Sequence, residues 1–123
     1  MEFPKKTSKQ TGDAAEAAAL QHLQKAGLRL LGRNYRTPGR GGGEIDLIMR
    51  EPGGTVVFVE VRKRSSATYG GAAASISRGK QQRIVLAARH YLMQRGTFPP
   101  CRFDVVSLGE TELQWIKGAF DAE

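Results

Sequence analysis

The chain has a single cysteine, Cys101, and only two histidines. One thiol excludes an intramolecular disulfide and a cysteine-built zinc site, and it suits a reducing cytoplasm, the expected location. His22 and His90 fall on helical stretches without a second ligand at useful spacing. No Ser-His-Asp or Cys-His arrangement is suggested. Long apolar runs are also missing. No stretch approaches the roughly 18 apolar residues of a membrane span, and no apolar core follows the early lysines, so neither a transmembrane helix nor a signal peptide is expected. Negative charge is scarce too. Twelve Asp and Glu oppose nineteen Lys and Arg, for a net charge of +7 and a pI near 10.0. That balance favours a polyanionic partner, nucleic acid before a membrane surface.

The remaining composition is that of one globular domain: 123 residues, 40% hydrophobic and 25% charged. Residues 1–10, MEFPKKTSKQ, read as a flexible basic arm, 11–120 as one domain, and 121–123 as a tail. Asp13 is placed at the start of an Ala-rich helix, with Leu20 and Leu23 on one side and Gly27 as its left-handed stop. LRLLGRNYR, 28–36, reads as a strand or extended run. TPGRGGG, 37–43, lacks the GK[ST] ending of a P-loop and the G-x-G-x-x-G spacing of a dinucleotide site; its glycines suit close ligand approach or mobility. EIDLIM, 44–49, and TVVFVEVR, 55–62, are strands joined by a tight turn. After a long small-residue loop, Ser77 caps a second helix that runs to Arg95 and closes at Gly96. RFDVVSL, 102–108, and ELQWIKGAF, 112–120, are the last strands. This order predicts an α/β (α+β) domain with a central mixed sheet of four to five strands flanked by helices.

VVFVEVRKR, 56–64, sets the functional question. The run of Val and Phe is that of a strand buried on both faces, yet Glu60 stands inside it. A three-residue loop at 52–54 pairs Ile48 with Phe58 and Asp46 with Glu60, whose Cβ atoms would then lie roughly 4.5–5.5 Å apart. Two carboxylates that close need a cation between them. Arg62, on the same face as Glu60, would make a buried ion-pair cluster. A divalent cation would make a hydrolytic centre, because Mg²⁺ binds through one or two carboxylates and keeps positions for water and phosphate. The residues alone leave both readings open.

GEIDLI, VFVEVR, YGGAAASISRGKQQR and RFDVV, in this order over residues 12–120, resemble the YraN-type family of proposed endonucleases. That family resembles the PD-(D/E)XK group of restriction enzymes and junction resolvases. The resemblance implies a restriction-endonuclease-like fold and a metal-dependent DNA endonuclease that uses Mg²⁺ or Mn²⁺ on branched or single-stranded DNA. It also implies catalytic roles for Asp46 and Glu60, with the backbone carbonyl of Val61 as a further metal ligand. Arg62 stands where the group has lysine; it can orient phosphate but cannot act as a base. This departure favours the alternative, a nucleic-acid-binding accessory protein that keeps the fold and cleaves nothing. Resolvase-like action would require two sites, hence a homodimer.

Glu16 matches a helix carboxylate of that group, while Asp13-x-x-Glu16 is also a capping box. Gln81 falls on the inward face of the second helix with Ile84, Val85, Ala88, Tyr91 and Leu92, so it is a site candidate or bonds to backbone. Arg78, Lys80 and Arg83 point elsewhere and suit phosphate contacts, as do Arg36, Arg40, Lys63 and Arg64. Glu44 shares the face of Asp46 at the strand edge and either joins the site or is exposed; Asp104 is expected beside an arginine, and Trp115 in the core. Tyr69 with Gly70 and Gly71 could pack on the sheet or stack on a base. Phosphate contacts would make binding fall with salt, by about 0.9 in log K per phosphate neutralised on duplex DNA.

Overall fold

A computed structural model describes residues 8–39, 41–64 and 76–122. Two helices and five strands follow in the order α1 (Ser8–Lys25), β1 (Arg29–Arg36), β2 (Glu44–Arg50), β3 (Val56–Lys63), α2 (Arg78–Arg95), β4 (Cys101–Leu108) and β5 (Leu113–Phe120). The strands form one mixed sheet in sequential order. β1–β2, β2–β3 and β4–β5 pair antiparallel, while β3–β4 is parallel, with α2 as the crossover between them. Arg40, Tyr69, Gly70 and Gly71 lie outside the described residues.

Each face of the sheet has its own core. Leu47, Met49, Val57, Val59 and Val106 pack with Ala19 and Leu23 of α1. Ile48, Val56, Phe58 and Phe103 pack with Ile84, Val85, Ala88 and Tyr91 of α2. β3 thus gives alternate residues to opposite layers, which explains its nearly unbroken apolar sequence. No described helix is long and apolar enough to cross a membrane.

Local chemistry sets the element ends. Ser77 Oγ accepts from Lys80 N at 3.1 Å, capping α2, and Gly96 closes that helix in the left-handed conformation (φ 70°). The β2–β3 turn spans Pro52–Gly54, flanked by a Glu51 N to Thr55 O bond of 2.9 Å. Gly54 takes φ 101°, as the last residue of a three-residue hairpin loop does. This turn sets the observed register Ile48↔Phe58 and Leu47↔Val59. Strand ends differ from the sequence reading by a single residue, and the start of α1 differs by more. α1 begins at Ser8, so Asp13 is a mid-helix residue and does not cap it, and the capping-box reading of Glu16 is lost.

Candidate active site

The β2–β3 ladder ends at Leu47↔Val59. One step further, Asp46 would face Glu60. Instead of a backbone pairing, the Val61 amide donates to Asp46 Oδ2 at 2.8 Å, so a carboxylate replaces the missing ladder acceptor. Side-chain alternation breaks at the same place. Ile45 and Ile48, three residues apart, both join the α2-side core, with Leu47 on the other side. β1 breaks with it. Arg33 pairs with Leu47 and Tyr35 with Ile45, and between them Asn34 holds φ 51°, the one positive value outside glycine among the described residues. Left-handed backbone is a sign of strain that tends to collect at functional sites, and asparagine tolerates it better than most residues. Asp46 is therefore lifted out of the regular pleat by a distortion shared between two strands.

The acids line a cavity of about 190 Å³ with Gly42, Gly43, Glu44, Lys80, Arg83 and Ile84. Gly43 explains how α2 comes so near. A Cβ at that position would lie 1.9 Å from the Arg83 carbonyl oxygen, so only glycine lets β2 begin directly under the helix. Thr37 closes the loop around it, its Oγ1 accepting from Gly43 N at 2.8 Å. Gly43 thus serves close packing within the chain, and with Gly42 it also borders the cavity.

Glu60 is nearly inaccessible, with 7% of its side chain exposed, and Lys80 Nζ sits 3.3 Å from its Oε1. Burial first, and then the Asp46 charge, push the Glu60 carboxyl up to about 7, against the opposing pull of Lys80. Two carboxylates pressed together with a half-compensating cation form a site that gains from more positive charge. Glu16 on α1 adds a third acid nearby. Burial and then Asp46 raise its pKa, while Arg33 and a hydrogen bond with Asn34 oppose the rise. Its Oε1 is buried without a partner. Among the described residues no group of three or more His, Cys, Asp or Glu side chains converges as a ready metal cluster.

The structure sorts the candidate residues. It brings together Asp46, Glu60, Lys80 and Arg83 in one cavity, with Glu16 close to Asp46. Val61 is tied to Asp46 through its amide. Lys80 does not point elsewhere, as its helical phase suggested; its first-turn position lets a long side chain reach back to Glu60. Gln81 donates its Nε2 to the Ile76 carbonyl at 3.1 Å and lines a separate groove with Arg78. Arg62 is half-buried and does not line the acid cavity. Glu44 is not simply exposed: it borders the cavity and pairs with Arg36 at 3.4 Å. Arg64 pairs with Glu112 at 3.1 Å, and Lys63 is exposed. Asp104 is fully buried and accepts from Arg102, Trp115 and the Gly118 amide, a structural role. Asn34 was missed, although a polar residue between Arg33 and Tyr35 in an extended run was the available signal.

A family model described as "Uncharacterised protein family UPF0102" matches residues 15–108. The chain belongs to the UPF0102 family. A UPF0102 protein of Albidiferax ferrireducens is 71% identical over 116 residues, covering 94% of this chain and 91% of that protein. One from Paracidovorax citrulli is 63% identical over 118 residues, covering 96% and 87%. UPF0102 is the YraN-type family that GEIDLI and VFVEVR resemble. The span matched by the UPF0102 model runs from just before Glu16 to the end of β4, so it holds the entire acid cavity.

Proposed function

We propose that this UPF0102 protein is a Mg²⁺- or Mn²⁺-dependent DNA endonuclease of restriction-endonuclease-like fold, with Asp46 and Glu60 at its centre. The observation that carries the reading is the acid pair itself. Two carboxylates from adjacent strands share a small cavity, one of them held near neutrality by burial and mutual repulsion. Evolution does not need such a pair for stability, since buried charges generally cost more than they return.

The residues fit a hard divalent cation. The donors are all oxygen, as Mg²⁺ and Mn²⁺ prefer. Asp46 Oδ2 accepts from the Val61 amide, which orients the carboxylate, and Asp46 would supply one oxygen to the ion. Glu60 would supply a second oxygen and the Val61 carbonyl a third, while Glu16, with its unpartnered Oε1, would act through water. A bound cation would lower the pKa of a water and neutralise charge on the scissile phosphate. The chain supplies the rest. Arg83 and Lys80 draw the phosphate towards the cavity, and Arg36 and the exposed cations Lys63 and Arg78 hold flanking phosphates by charge and shape. A net charge of +7 steers DNA to the protein.

The test is a cleavage panel of single-stranded, duplex, flapped and four-way-junction DNA with Mg²⁺ or Mn²⁺. Wild type, Asp46→Ala and Glu60→Ala are compared. Metal-dependent cleavage lost in both variants supports the proposal. The second reading, a DNA-binding accessory protein without catalysis, draws on Arg62 at the lysine position and on the Glu60–Lys80 ion pair, which compensates the buried acid without a metal. Equal DNA binding by all three proteins with no cleavage by any would select it.

A further inference from the structure

The Glu60–Lys80 pair joins a nearly inaccessible carboxylate to an amine whose side chain is 44% exposed. Lys80 stands in the first turn of α2, which carries no acidic residue, so its local helix offers no other carboxylate. The other acids facing the cavity are Asp46 and Glu44. Asp46 has one oxygen on the Val61 amide, and Glu44 is paired with Arg36. Lys80 therefore occupies the anionic centre, and its partly exposed side chain has a path of withdrawal towards solvent. A divalent cation on the acid pair would take over the compensation and repel the ammonium.

We infer that Lys80 is an exchangeable counter-ion of the acid pair: it holds Glu60 until a divalent cation arrives, and the displaced ammonium then faces the substrate phosphate. This rests on the proposed metal site. It gives Lys80, from the helix, the compact-cation role that Arg62 on β3 is poorly shaped to fill.

The experiment is Mn²⁺ binding to metal-free protein by titration calorimetry, using wild type, Lys80→Gln and Asp46→Ala. Competition predicts that Lys80→Gln binds Mn²⁺ about fivefold more tightly than wild type, the upper end expected of one partly exposed ion pair. Asp46→Ala should bind far more weakly. Lys80→Gln should nevertheless cleave DNA roughly a hundredfold more slowly at saturating Mn²⁺, as expected for loss of a cation aimed at developing charge. Unchanged or weaker Mn²⁺ affinity in folded Lys80→Gln, with wild type binding normally, overturns the exchange and leaves the metal site standing. Absence of Mn²⁺ binding in both overturns the metal site and the exchange together. Tighter metal binding with undiminished cleavage overturns the phosphate-facing role.

Discussion

Replacing Glu60 by glutamine should stabilise the protein above neutral pH. Glutamine keeps the volume and mimics the protonated carboxyl. The Glu60 pKa is raised from 4.5 to about 7 in the fold by burial and by Asp46, so the unfolded chain loses this proton first as pH rises. Stability then falls with increasing pH between about 4.5 and 7, and the whole cost is present above that window. At 1.36 kcal/mol per pKa unit the cost is on the order of 3 kcal/mol. Glu60→Gln should match wild type near pH 4.5 and exceed it by about 3 kcal/mol at pH 8, a rise in Tm of roughly 10 °C for a domain of this size. Urea and thermal unfolding of both proteins from pH 4.5 to 9, without divalent metal, measure the difference. If Glu60→Gln is the less stable protein at pH 8, the Lys80 ion pair outweighs the repulsion and Glu60 is structural. If the gap does not widen with pH, the carboxylate is not held near neutrality and the argument for a stored charge conflict fails.

Gly43→Ala should cost about 2–4 kcal/mol in urea unfolding, because the new methyl must displace the Arg83 carbonyl. The same shift should abolish any Mn²⁺ binding at the cavity. Asp104→Ala removes the buried acceptor shared by Arg102, Trp115 and the Gly118 amide, while Arg102 keeps Glu51, and should destabilise by about 2–3 kcal/mol, with no compensation from metal. Asn34→Gly relieves the left-handed backbone and should leave stability near wild type, whereas Asn34→Ala at φ 51° should cost about 1–2 kcal/mol by thermal melts. Equal stability of these two variants would show that the backbone at position 34 is not strained.

Much of the fold was legible because it rests on local signals. Ser77 and Gly96 bracket α2 as their cap chemistry requires, and the three-residue loop at 52–54 sets the Ile48↔Phe58 register without help from any tertiary contact. The start of α1 was less legible. Asp13 carried a strong capping signal, but the polar residues from Ser8 onward continue the helix and override it. A polar helical turn has no apolar stripe to announce it.

Local sequence signals are enough to give the succession of helices and strands along the chain and the Ile48↔Phe58 register, which puts Asp46 and Glu60 just beyond the same end of the β2–β3 ladder, because alternation and turn length act over a few residues. The sequence by itself also determined the basic surface, which is a matter of composition. Only the tertiary structure decided which cation the acids meet. Lys80 lies twenty residues beyond Glu60 in the chain, and helical phase alone turned it away. Gly43 allows α2 to approach closely enough for a long flexible side chain to reach the buried carboxylate. The distortion at Asn34 and Asp46 was likewise invisible to alternation, since it is the one place where both strands abandon it. Side-chain reach and shared backbone strain are set by the distance between elements, and a linear sequence carries no record of that distance.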